Sequence, residues 1–150
     1  MSSTDRIEKV VVFKAPKARV WRALTDSKEF GTWFRVNLAG EFKPGATVRG
    51  PIAIPGYEHM TLEVIIEKME PQDLFSYRWH PYAVDPKVDY TSEPTTLCEF
   101  RLADAPEGTE LTVIESGFDK LPANRRDEAW RMNDKGWSGQ IKNIAKHVES

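Results

Sequence analysis

The sequence has only one cysteine, Cys98, and few of the side chains that metal sites are built from. A single cysteine cannot form an internal disulfide, and such usage is typical of a reducing compartment. The three histidines, His59, His80 and His147, lie far apart, and none has metal-ligand spacing with Cys, Asp or Glu. We therefore predict no bound metal and no other cofactor.

The recognisable signatures of several reaction types are also missing. The sequence contains no glycine-rich phosphate loop, no nucleophile elbow and no HExxH zinc motif. A triad assembled from distant residues leaves no local trace, so this absence does not exclude catalysis. We assign no catalytic residue and predict a binding protein rather than an enzyme.

The chain also lacks an excess of charge of one sign and lacks long apolar runs. Its 21 basic and 23 acidic residues are well mixed and give a formal net charge of -2. Apart from Arg125-Arg126 there is no basic stripe, so we expect no nucleic-acid partner. No run approaches the ~18 apolar residues of a membrane span, and the first residues lack the apolar core of a signal peptide. We expect a cytoplasmic protein with one domain over 1–150.

The N-terminal part predicts one strand followed by two short helices. Ile7–Phe13 is rich in β-branched residues and ends at a proline, which is typical of a strand. Arg19–Phe34 then carries apolar residues at helical spacing. Asp26 followed by Glu29 indicates a capping box where one helix ends and the next begins.

The middle of the chain has a sequence pattern that is typical of antiparallel strands joined by turns. Val36–Gly56 alternates short apolar pieces with Gly and Pro, which predicts short strands joined by turns, and Glu58–Glu70 predicts a longer strand. Phe75–Trp79 alternates aromatic and polar residues, giving one aromatic face. Cys98–Leu102 and Leu111–Glu115 alternate in the same way and predict a hairpin with a loop of about five residues.

After Gly117 the period changes to that of a helix, which we predict over about 122–148. Strands grouped together, rather than interleaved with helices, favour an α+β fold. A curved antiparallel sheet of six or seven strands would place its concave face against this helix. Gly136 and Gly139 each cost about 1 kcal/mol in a helix. Either close packing on the sheet or room for a ligand would offset that cost.

Several short sequence motifs occur in the order that is found in one superfamily. They are VWRALTD at Val20–Asp26, WF at Trp33-Phe34, the strand ending in Trp79, GTELTVIESGF at Gly108–Phe118, and GW at Gly136-Trp137. Together they resemble the START/birch-pollen-allergen (SRPBCC) superfamily with its helix-grip fold. The most similar branch is named for the activator of heat-shock-protein-90 ATPase homologue. The chain departs from that pattern at Glu115, where the family often has histidine.

The resemblance implies a cavity between the sheet and the long helix that holds an apolar small molecule. In this branch few members are established enzymes. The eukaryotic protein that gives the branch its name binds and stimulates a chaperone, and it is a larger protein with a second domain. Our candidate ligand-binding residues share inward faces of these elements: Trp33, Phe75, Tyr77, Trp79, His80, Leu111, Val113, Glu115, Trp130, Asn133 and Trp137. Each aromatic member taken singly is more typical of core packing, and it is the group of inward-facing aromatics that favours a ligand site.

Glu115 is the chief polar candidate. Leu111 and Val113 point inward, so a period of two turns Glu115 inward as well, where a carboxylate is costly unless it is hydrogen-bonded or neutral. The alternative is that strand bending near Gly117 lets Glu115 reach solvent or an arginine. Asn133 also needs a partner, because it lies on or near the apolar stripe of the long helix.

We predict a binding or carrier protein for an apolar molecule, either aromatic or lipid-like, in monomeric or homodimeric form. Pro81–Pro94, a loop with several prolines, would act as a flap over one entrance. The first alternative is a chaperone-interacting module, which would carry an exposed apolar or charged patch on the outer sheet face. The second is a cyclase- or hydrolase-type enzyme, for which Glu115 with His80 is the only acid–base pair we can propose.

Overall fold

One six-stranded antiparallel sheet forms the body of the protein. The computed structural model describes residues 5–81, 87 and 89–149. The strands are β1 (Arg6–Phe13), β2 (Thr47–Pro51), β3 (Thr61–Glu70), β4 (Leu74–Trp79), β5 (Thr96–Ala105) and β6 (Gly108–Ser116). Their order across the sheet is β1-β6-β5-β4-β3-β2, so β1 and β2 are the edge strands.

Three helices complete the fold: α1 (Lys17–Thr25), α2 (Ser27–Phe34) and α3 (Ala123–Glu149). The carboxylate of Asp26 accepts hydrogen bonds from the backbone N–H groups of Lys28 at 2.9 Å and Glu29 at 3.1 Å, so it caps α2. The reciprocal half of the predicted capping box does not form, because the Asp26 N–H donates to the carbonyl of Arg22. The curved sheet, the paired short helices and the long C-terminal helix confirm the α+β helix-grip prediction.

Two local predictions differ from the structure. Within Val36–Gly56 only β2 forms a strand, and the earlier part of this range contributes isolated bridges from Val36 to Ile52 and from Ala39 to Arg49. The region has glycine and proline at short intervals, which interrupts regular pairing. The loop between β5 and β6 is also shorter than predicted, because pairing continues to Ala105 opposite Gly108.

Aromatic side chains fill the part of the interior that lies under the short helices. Phe30 stacks on Phe34 with ring centroids 5.2 Å apart, and Phe75 lies between Phe42 at 5.5 Å and Phe100 at 5.9 Å. Such packing excludes water from this end of the sheet. The open end of the interior therefore lies elsewhere, where β3 and β4 face the middle of α3.

Helix α3 also covers the edge strand β1. The indole N–H of Trp130 donates to the carbonyl of Arg6 at 3.0 Å, and Lys9 pairs with Asp134 at 2.8 Å. Just past the other end of β1, the backbone N–H of Lys14 donates to Glu149 at 2.8 Å. No helix in the described part of the chain is both long and apolar enough to cross a membrane.

Candidate functional site

Glu115 lies at the centre of a buried polar cluster. Its side chain is fully buried, which confirms its inward orientation. Carboxylate Oε2 accepts from the indole N–H of Trp79 at 2.7 Å and the hydroxyl of Thr96 at 2.5 Å, while Oε1 accepts from the indole N–H of Trp137 at 2.8 Å. The Nδ2 atom of Asn133 lies 3.0 Å from Oε1 and 3.1 Å from Oε2.

The sheet register and the helix period bring these donors together. Trp79 and Thr96 are paired residues on β4 and β5, and Cys98, two residues beyond Thr96, pairs with Glu115 on β6. Asn133 and Trp137 are four residues apart on α3, so they lie on one face of the helix. Each donor is thus placed by regular secondary structure.

The cluster accommodates a carboxyl group without a cation. Burial raises the pKa of Glu115, the hydrogen bonds from Thr96, Trp79, Trp137 and Asn133 act to lower it, and the net shift is upward. No ion pair to Glu115 is found among the described residues. The Thr96 hydroxyl can both donate and accept, so a protonated Glu115 can donate to Thr96 while the two indoles and the Asn133 NH₂ group continue to donate.

Two adjoining clefts open beside this cluster. The outer cleft has a volume of about 410 Å³ and is lined by Phe34, Arg49, Ile52, Tyr57, Met60, Thr61, Leu62, Glu63, Trp79, His80, Tyr90, Thr91 and Asn133. The inner cleft has a volume of about 140 Å³ and is lined by Phe34, Trp79, Asn133, Gly136, Trp137 and Gln140. Phe34, Trp79 and Asn133 belong to both, so the clefts form one continuous region against α3.

The structure separates the predicted site residues into those that line a cleft, those packed in the core, and three with other surroundings. Four of them line a cleft: Trp79, His80, Asn133 and Trp137. Four others are fully buried in the packed core and line neither cleft: Phe75, Tyr77, Leu111 and Val113. Trp33 donates its indole N–H to the carbonyl of Ala23 at 2.8 Å, and Trp130 binds β1. Glu115 lies behind the cleft wall, in contact with it through Trp79, Trp137 and Asn133.

Sequence reasoning missed several residues of this region. Thr96 could have been found, because it precedes Cys98 and Phe100 by the same period of two on the inward face. Tyr57, Met60 and Leu62 had no such signal, because the turns before β3 decide which way they face. Their place in the outer cleft depends on tertiary structure.

The two glycines of α3 are not explained by close packing. A Cβ atom built on Gly136 or on Gly139 would meet no atom within 4 Å, so the packing explanation is wrong for both. Both residues are exposed on the helix surface. Gly136 differs from Gly139 in bordering the inner cleft.

Comparison with known proteins places the chain in a family. The sequence profile described as "Activator of Hsp90 ATPase homolog 1-like protein" matches residues 14–149. The chain belongs to this family. A comparison with curated proteins returned no match.

Solved structures share the fold of this family member at low sequence identity. MLL2253 from Mesorhizobium loti is 20% identical with a TM-score of 0.75, covering 95% of this chain and 96% of that one. The Aha1 dimer from Colwellia psychrerythraea is 14% identical with a TM-score of 0.72, covering 96% of each. DynU16, a putative protein in the dynemicin biosynthetic locus, is 23% identical with a TM-score of 0.75, and the match covers 97% of this chain and 48% of that one.

Arg125 on α3 contacts residues at both ends of the predicted flap. Its guanidinium pairs with Glu93 at 2.8 Å, donates to the carbonyl of Pro81 at 3.0 Å and lies 4.7 Å from the ring centroid of Tyr90. Residues 82–86 and 88 of Pro81–Pro94 lie outside the described residues. The flap therefore stays a prediction.

The acid–base pair suggested for the enzyme alternative does not form. His80 Nε2 lies 3.2 Å from the carbonyl oxygen of Glu93, whereas the partners of Glu115 are two indoles, an amide and a hydroxyl. Across residues 5–81, 87 and 89–149, no three His, Cys, Asp or Glu side chains are grouped as a metal ion would require.

Proposed function

We propose that this protein binds or carries an apolar small molecule in the outer and inner clefts. The observation that carries this proposal is that the two clefts share Trp79 and Asn133, and both side chains are fixed by hydrogen bonds to the buried Glu115. Ligand sites in proteins typically combine apolar walls with a few fixed polar groups. The combined region has that composition.

The aromatic wall of the clefts supports the same proposal because it is held in place before any ligand arrives. The ring of Trp79 stacks on Trp137 with centroids 5.7 Å apart, and Phe34 meets Trp79 edge-on at 5.9 Å. The indole N–H groups of both tryptophans are anchored on Glu115. A wall whose rotamers are already fixed loses little conformational entropy on binding.

The first test is equilibrium dialysis against 2-methoxynaphthalene, an uncharged aromatic probe. We expect saturable binding that is weakened at least about tenfold by Leu62→Asp, because a charge in the outer cleft must be desolvated by the ligand. Val12→Asp is the matched control, since Val12 is 43% exposed on the sheet face turned away from α3. Native mass spectrometry of freshly purified protein would identify a retained molecule.

Two outcomes contradict the proposal. One is the absence of saturable binding of this probe together with the absence of any retained molecule. The other is equal weakening by Leu62→Asp and Val12→Asp, which would place the probe on the surface rather than in the clefts.

A chaperone-interacting module is the second candidate, and one observation favours it. Val10 and Val12 are 58% and 43% exposed, and they lie side by side on the outer face of β1. Exposed apolar neighbours are typical of interaction surfaces. The test is the ATPase rate of a purified heat-shock-protein-90 chaperone with this protein added. An increase that Val10→Lys abolishes supports the candidate, and an unchanged rate contradicts it.

A further inference from the structure

We propose that the clefts select a neutral molecule with a hydroxyl group, which donates its hydrogen bond to Oδ1 of Asn133, over the corresponding ether and carboxylate. This inference rests on the proposed function, because it names the class of ligand for the same clefts. It adds a polar requirement that apolar walls alone would not impose.

The orientation of the Asn133 amide is fixed by Glu115. Its Nδ2 atom is within 3.1 Å of both carboxylate oxygens, and a carboxylate only accepts hydrogen bonds. The reverse orientation would place the amide oxygen against two acceptor oxygens. Protonation of Glu115 is compatible with the same orientation, because the Thr96 hydroxyl, 2.5 Å from Oε2, can accept a hydrogen bond from the protonated oxygen.

The amide oxygen is consequently available on the wall that the two clefts share. Asn133 lines both clefts, and no hydrogen bond to its Oδ1 atom is found among the described residues. An acceptor that faces a mostly apolar cleft loses water when a ligand enters. A ligand that supplies a donor restores the hydrogen bond, whereas a ligand without one leaves the oxygen unpaired.

The charges around the clefts disfavour an anion. Glu115 lies directly behind the wall and has no cationic partner in the described part of the chain. Arg49 lines the outer cleft, but its guanidinium already pairs with Glu63 at 2.7 Å. His80 also lines the outer cleft, and its Nε2 donates to the Glu93 carbonyl. An anionic ligand would therefore sit close to a buried carboxyl group that no cation compensates, in a region of low dielectric.

The experiment compares three naphthalene probes of similar shape by equilibrium dialysis at about pH 8, where unperturbed carboxyl groups are ionised. These are 2-naphthol, 2-methoxynaphthalene and 2-naphthoate. We expect the naphthol to bind about three- to tenfold more tightly than the ether, because one additional hydrogen bond changes the binding free energy by about that factor in affinity. We expect the naphthoate to bind more weakly than the ether.

A pair of variants assigns the preference to one side chain. Asn133→Leu should bring the naphthol and the ether to equal affinity, because it removes Oδ1. Asn124→Leu is the matched control on the same helix: Asn124 is exposed and lines neither cleft, so the preference should persist. If Asn133→Leu fails to fold, the three probes on the unmodified protein still decide the question.

The outcomes separate this inference from the proposed function. Equal binding of the naphthol and the ether to the unmodified protein overturns the hydroxyl requirement but leaves a small-molecule site. Tightest binding of the naphthoate overturns the charge argument. Failure of all three probes to bind contradicts the proposed function itself.

Discussion

Replacing Trp137 by Phe tests whether Glu115 is the charged centre of the site. The phenyl ring keeps most of the contact with the sheet but loses the indole N–H that lies 2.8 Å from Oε1. A hydrogen bond to a charged acceptor contributes about 1.5–3 kcal/mol, against about 0.5–1.5 kcal/mol for one between neutral groups. If Glu115 is ionised at about pH 8, the free energy of unfolding should fall there by about 1.5–3 kcal/mol.

The loss should depend on pH in a defined direction. Because the pKa of Glu115 is raised in the folded protein, its carboxyl group becomes neutral as the pH falls through that value. The bond from Trp137 is then one between neutral groups, so the cost of Trp137→Phe should become smaller in acid. Urea unfolding followed by far-UV circular dichroism measures this without relying on tryptophan emission.

Trp33→Phe is the matched control for this experiment. Trp33 is 3% exposed and Trp137 is 2% exposed, so the two replacements remove similar packing. The indole of Trp33 donates to a backbone carbonyl, that of Ala23, whose charge does not change with pH. Equal and pH-independent losses in the two variants would show that Glu115 is not an ionised acceptor, and would refute the reasoning about the site.

Three further predictions follow from other parts of the structure. Gly136→Ala and Gly139→Ala should each raise the free energy of unfolding by up to about 1 kcal/mol, measured by urea unfolding, because helix propensity improves and the methyl group meets open space; only Gly136→Ala should weaken binding of 2-methoxynaphthalene in dialysis. Glu115→Gln should lower the free energy of unfolding by about 1–3 kcal/mol, since its NH₂ group faces donors. In the unmodified protein, stability should fall as the pH rises from 4.5, the ordinary pKa of a glutamate, through the raised pKa of Glu115. Glu115→Gln should abolish this fall, because the amide does not titrate. Burial acts to raise the pKa of Glu29, but hydrogen bonds from His147 and Arg19 and the charges of Arg19 and Arg22 lower it overall. Stability from Glu29 is therefore present above its unfolded pKa and lost as the pH falls through the folded value, so Glu29→Gln should flatten the acid side of a thermal-melting pH profile.

Periodic features were predictable from the sequence because backbone geometry alone sets them. The inward orientation of Glu115 follows from Leu111 and Val113 by a period of two, and the helical period after Gly117 gives α3 to within a residue or two. Both depend only on neighbours along the chain.

The division between core and cleft was not predictable, because it depends on contacts distant in sequence. Phe75, Tyr77 and Trp79 share one strand face, yet the first two are covered by Phe42 and Phe30. Trp79, next along the face, lies where the helix leaves the sheet open. No pattern within β4 distinguishes the three, since the covering residues come from α2 and from an irregular segment.

The contacts between α3 and β1 also protect an edge strand of the sheet. An edge strand with free backbone groups is a template on which other chains can aggregate. Here the side chains of Trp130 and Glu149 occupy backbone groups at or beside the two ends of that strand. Any displacement of α3 would break these two contacts and leave the edge of β1 open to pairing with other chains.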